Sequence, residues 1–159
     1  QTKIWAGLSD VTELAKCSDL NKYVLTTTFE NECVLLRREI KDIENNRTPS
    51  VFYTGTLIFS SSKASMTLPK AAKYIVLSGG DFSGSYGLTA SLKRPYNISP
   101  GGRVQPYITC SDTDLETGDD NYAKLSSDGK TVECYIYAQN SSGNRMWMFT
   151  GSASVEAYA

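Results

Sequence analysis

The chain has 159 residues, with 16 basic against 17 acidic side chains and a formal net charge of -1, so it carries no electrostatic footprint for nucleic acid or an anionic membrane. It contains no histidine, which excludes a Ser-His-Asp triad, a Cys-His pair, histidine zinc sites and a histidine general base. The length allows one ordinary domain with an appendage, and no apolar run approaches a membrane span. In chain order, the opening QTKIWAGLSD lacks the charged and apolar regions of a signal peptide and has no initiator Met; the chain is expected to be a piece of a longer polypeptide. Residues 1–26 are expected to form a linking segment.

A helix is predicted over 27–46, within a stem of residues 27–48. Phe29, Cys33, Leu36, Ile40 and Ile43 recur at steps of four, three, four and three, the spacing of a coiled-coil seam. Isoleucine at both core positions favours three or four strands over two. In this register Glu32 and Arg37 form a complementary flanking pair, whereas Glu39 and Glu44 are alike in charge. Thr27 with Glu30 fits a capping box at the start; Asn45, Asn46 and the Thr48-Pro49 pair mark the stop. The competing expectation is a monomeric amphipathic helix lying on the domain that follows.

From residue 49 to 159 the period changes to two. Tyr86, Leu88, Ala90 and Leu92 alternate with small or polar residues, as do Val104, Pro106, Ile108 and Cys110, then Val132, Cys134, Ile136 and Ala138, then Ala153, Val155 and Ala157. Further strands are expected at 51–59, 65–68, 73–77 and 145–150. Turn signals stand at Gly79-Gly80, Pro100-Gly101-Gly102, Asp128-Gly129 and Ser142-Gly143-Asn144. Seven or eight such strands imply a mainly β unit, an antiparallel, jelly-roll-like β-sandwich. Pro106 points to an edge or a bulge. The run Arg145 to Phe149 is apolar on both faces, fitting either a central strand or one covered by a neighbouring subunit.

The chemistry that survives without histidine is carboxylate chemistry, with candidates Asp112, Asp114, Glu116, Asp119 and Asp120 in SDTDLETGDDN. Crowded carboxylates on such a loop fit a solvated hairpin tip better than an acid and base across a cleft. A calcium loop in the same segment lacks its closing glutamate, since that position is Ala123; no metal or cofactor is expected. The four cysteines, at spacings of 16, 77 and 24, form no metal pattern. Cys110 and Cys134 fall on inward faces, giving either a disulfide between adjoining strands or, in a reducing cytosol, two buried free thiols. Ten tyrosines against five phenylalanines suit a recognition surface. Tyr96 in KRPYNISPGG and Tyr122 beside the acidic loop are expected to be exposed. The candidate binding set is Arg94, Tyr96, Asn97, Asp112, Asp114 and Tyr122, on two loops. Tyr107, Tyr135 and Tyr137 are expected on solvent or intersheet faces because tyrosine is favoured in strands.

The opening segments, with Trp5-Ala6-Gly7, then Asp19-Leu20-Asn21-Lys22-Tyr23-Val24 and Phe29, resemble the spacer units of tailed-bacteriophage tail fibres and receptor-binding proteins. The resemblance covers roughly the first 45 residues. It implies a homotrimer with a β-rich tip, displayed on a virion assembled in a bacterial cytoplasm and joined to other virion proteins upstream. Its partner would be a bacterial surface glycan or outer-membrane protein; no residue-level site transfers. The resulting reading is a binding protein and not an enzyme. A purely structural spike or head-decoration protein, a glycan depolymerase and a secreted lectin-like sandwich with sequons at Asn46, Asn97 and Asn140 are the alternatives.

Overall fold

The computed structural model describes residues 11–159, with side chains from residue 25 onward. The chain divides into two compact units, 1–48 and 49–159. In the first, a single helix α1 runs over Val11–Asn46. It therefore starts well before Thr27, and residues 11–26 are helical where a linking segment was expected. The physical reason is legible in retrospect: no glycine or proline occurs between Gly7 and Pro49, so nothing interrupts the helix at Thr27. Trp5-Ala6-Gly7 lies outside the described residues, and residues 19–24 fall inside α1. Phe29, Leu36, Ile40 and Ile43 are all more than half exposed, Cys33 is half-buried, and Leu25, four residues before Phe29, extends the same apolar stripe at 70% exposure.

The second unit is mainly β, and its strands pair antiparallel throughout. Thirteen short strands are formed: β1 Val51–Phe59, β2 Lys63–Thr67, β3 Tyr74–Ser83, β4 Thr89–Leu92, β5 Tyr96–Ile98, β6 Arg103–Val104, β7 Ile108–Cys110, β8 Glu116–Thr117, β9 Tyr122–Leu125, β10 Thr131–Tyr135, β11 Tyr137–Gln139, β12 Met146–Met148 and β13 Thr150–Tyr158. They build a six-stranded sheet with path β1-β13-β3-β4-β7 and β5 beside β3, a four-stranded sheet β2-β10-β9-β6, and a three-stranded sheet β12-β11-β8.

The expected alternation survives in the core. Ala90, Leu92, Ile108, Val132, Cys134, Ile136, Ala138, Ala153, Val155 and Ala157 are all buried, and Phe82 meets Phe59 edge-on at 5.1 Å between ring centres. The count of strands differs because three expected strands are cut. Pro106, without an amide hydrogen, separates β6 from β7. Ile136 and Phe149 separate β10 from β11 and β12 from β13, because their N–H groups donate to the carbonyl and the hydroxyl of Ser62 instead of to a ladder.

Gly79-Gly80 is not a turn. Both glycines have positive φ inside β3, where the pairing to β13 slips between Ser152 and Ser154. This is a bulge, and it bends β3 so that residues 75–77 pair with β5 while Phe82 and Ser83 pair with β4. β12 is an edge strand with Met146 and Met148 exposed, not a central strand buried on both faces.

Candidate functional site

The six residues singled out from the sequence fall in three places. Tyr96 is buried, not exposed: the short strand β5 turns its ring inward, and its hydroxyl accepts a hydrogen bond of 2.7 Å from the Tyr107 amide. Arg94 lies over that ring at 5.4 Å, and Asn97 is exposed on the opposite face of β5. Tyr122 is half-buried on β9, against Tyr135 and beneath Arg103. Asp112 and Asp114 are exposed at a turn in which the Asp114 amide donates to Asp112 Oδ1.

All five carboxylates of the acidic segment are exposed, as expected of a solvated tip, but its backbone around residues 118–121 is anchored. Asn121, buried, donates to the Tyr137 carbonyl and accepts from the Tyr137 amide, taking the place of a strand partner. The Gln139 side chain accepts from the Asp119 amide, and Gln105 donates to the carbonyls of Gly118 and Asp119. Tyr137, expected on a solvent or intersheet face, is buried, with its hydroxyl accepting from the Asp120 amide.

Apart from these anchors lies a groove, which the acidic segment reaches only through residues 111–113 and 115. It has a volume of about 530 Å³ and is lined by Ser85, Tyr86, Leu88, Asp112, Arg145 and Trp147, with hydroxyls from Ser111 and Thr113. One wall is a tight turn in which Gly84 N donates to the Leu88 carbonyl and Gly87 takes a positive φ of 74°. Leu88 is buried and anchors the turn, and Tyr86 is thrown outward, 96% exposed at φ 60°. The second wall is held by Ser111, whose Oγ accepts from the Thr89 amide and whose own amide donates to the Thr89 carbonyl. The third is β12 with the residue before it, Arg145, whose guanidinium stands 5.0 Å over the half-buried Trp147 ring. Asn140 fixes the approach to that strand by accepting from the Arg145 amide.

Two aromatic planes, a guanidinium, a carboxylate and three hydroxyls thus face one hollow. Aromatic planes suit the C–H faces of a sugar ring, and planar charged groups suit its hydroxyls. Asp112 is the only carboxylate lining the groove among the described residues, whereas glycoside cleavage needs two, about 5 to 10 Å apart. Tyr86 and Trp147 were missed from the sequence as site residues. The signal available for Tyr86 was its Gly-Ser-Tyr-Gly setting, which is turn chemistry inside an alternating pattern. For Trp147 it was the apolar run with no polar face.

No protein-family model, curated protein or solved structure matches the chain.

Proposed function

We propose that the chain is the receptor-binding end of a homotrimeric fibre, in which α1 assembles three copies and the β unit, a sandwich-like tip, binds a bacterial surface glycan without cleaving it. The observation that carries the binding reading is Tyr86. A tyrosine held in the left-handed region costs about 1–2 kcal/mol relative to ordinary backbone, and here it secures no buried contact, since the ring is 96% exposed. Such strain is retained at sites where the side chain must be presented to something else.

The stem reading is supported by the stripe from Leu25 to Ile43. Leu25, Phe29, Leu36, Ile40 and Ile43, all more than half exposed, with the half-buried Cys33 between Phe29 and Leu36, recur at steps of four, four, three, four and three, a stripe that calls for partner helices of the same kind. The spacer motifs of the first 45 residues, which resemble those of tail fibres, supply the phage and virion setting. Among the described residues no helix is long and apolar enough to cross a membrane.

The test is binding of the full chain to arrayed bacterial surface polysaccharides, compared with Tyr86→Ala and Trp147→Ala. The expected result is retention of at least one polysaccharide by the native chain and its loss in both variants. Binding that is unchanged in both variants would remove the groove from the account. Absence of adsorption to any glycan or cell would favour a purely structural spike, for which the same stem serves.

A further inference from the structure

The outer face of the four-stranded sheet shares no lining residue with the Tyr86–Trp147 groove. The registers of β2, β10 and β9 place Lys63, Tyr135 and Tyr122 side by side in one row, and Ser65, Glu133, Lys124 and Arg103 in the next row on the same face, with β6 supplying Arg103. The Tyr122 and Tyr135 rings are 6.0 Å apart, and both are half-buried.

The cations are held by these rings. Arg103 lies 4.7 Å and Lys124 5.6 Å from the centre of Tyr122, and Lys63 lies 5.6 Å from that of Tyr135. Glu133 is the one acid of the two rows, and it is already bonded to Lys124 at 3.0 Å. Arg103 has no carboxylate partner among the described residues. Within the two rows three cations stand against one carboxylate, on a chain whose net charge is -1; a second carboxylate, Asp120, acts on the Tyr135 end from the neighbouring loop, so the positive charge concentrates at the Arg103–Lys124 end. Arg103 and Lys124 also stand directly opposite each other across the strand pair, an arrangement that costs stability between like charges. Two shallow hollows, of about 310 and 360 Å³, flank Glu133, and the larger adds Ser126, Ser127 and Thr131 to Arg103 and Lys124.

We infer that this face is a second binding surface, for a strand of acidic polysaccharide. Sugar rings lie along the Tyr135–Tyr122 row, and the carboxylate of a uronic acid unit bridges Arg103 and Lys124. Charge complementarity selects this occupant: an unmatched Arg beside a Lys recognises a carboxylate, and adjacent aromatic planes recognise the ring that carries it. A nucleic-acid strand fits less well, because Glu133 interrupts the cations and the chain lacks a basic excess. The inference rests on the reading of the tip as a glycan binder, but through a different surface.

The experiment is calorimetric titration of the full chain with a polygalacturonate hexamer, a neutral maltohexaose and a single-stranded oligonucleotide of equal charge. The hexauronate is expected to bind, and to weaken about tenfold or more in Arg103→Gln and on raising the salt from about 50 to about 500 mM. Lys63→Gln, at an exposed position, should weaken it less. The neutral sugar should not compete, and Trp147→Ala should bind the hexauronate as the native chain does, so that failure of the groove and failure of this face give different results. No hexauronate binding, binding unchanged in a folded Arg103→Gln, or tighter binding of the oligonucleotide would each overturn the inference.

Discussion

Replacing Ser62 by alanine should weaken the β unit far more than a one-atom change suggests. Ser62 has no solvent exposure, and three hydrogen bonds converge on it: its amide donates to the Phe149 carbonyl at 2.7 Å, its Oγ accepts from the Phe149 amide at 2.9 Å, and its carbonyl accepts from the Ile136 amide at 2.9 Å. The substitution leaves both backbone bonds and removes the Oγ acceptor, so the buried Phe149 N–H loses its partner. An unsatisfied buried donor costs about 1–3 kcal/mol. The left-handed φ of 68° burdens serine and alanine alike, so it cancels from the difference. Against a total of about 5–15 kcal/mol for a domain, the loss is a large fraction. Urea unfolding of the full chain at fixed concentration measures it. Ser61→Ala is the control, since Ser61 has a similar φ of 47° but is exposed, and it should change stability by less than about 0.5 kcal/mol. A Ser62→Ala protein as stable as that control would refute the claim that the Oγ bond joins these strands.

Gly151→Ala should cost more than Ser62→Ala, about 3 kcal/mol or above, because a Cβ there would run into the Asp81 carbonyl oxygen at φ 141°; urea unfolding within about 1 kcal/mol of the native chain would contradict this close approach of β13 to β3. Tyr86→Gly should leave stability unchanged or raise it by up to about 1 kcal/mol while abolishing glycan retention, since glycine relieves the left-handed backbone and the ring secures nothing within the fold; a clear loss in thermal melting would show that the ring serves packing. Burial pushes the Cys134 thiol up to about 12, and burial followed by the Asp112 charge raises Cys110, with Lys93 pulling the other way. In peptide-resolved iodoacetamide labelling near about pH 8, Cys134 should stay unlabelled until the chain is unfolded and Cys110 should react slowly; rapid labelling of native Cys134 would count against its place in the core.

Much of the fold was legible because burial in a sheet imposes a period of two. Val132, Cys134, Ile136 and Ala138 keep one face even where Ile136 leaves the ladder to bond Ser62. What failed was nonlocal. Nothing in the neighbourhood of Gly79-Gly80 distinguishes a hairpin from a bulge, because the difference lies in β5 and β4 claiming the two halves of β3. Tyr96 read as a loop residue because prolines flank it at 95 and 100, yet a three-residue strand suffices to bury its ring, and the Tyr107 amide that meets its hydroxyl lies 11 residues away. The helix start was misplaced for a local reason: Thr27 and Glu30 can cap a helix but do not prevent one from passing through. Of the candidate site, Asp112 alone was placed in the groove from the sequence set. Tyr86 had the alternation of a strand, and its outward throw depends on the Gly84 to Leu88 hydrogen bond.

As proposed, this chain works as a trimer displaying its β units from a helical stem. Light scattering of the full chain tests it most directly. The expected mass is that of three 17.4 kDa chains, falling to one when Ile40→Lys places a charge in the exposed stripe. A native chain that scatters as a single copy at every concentration would contradict it.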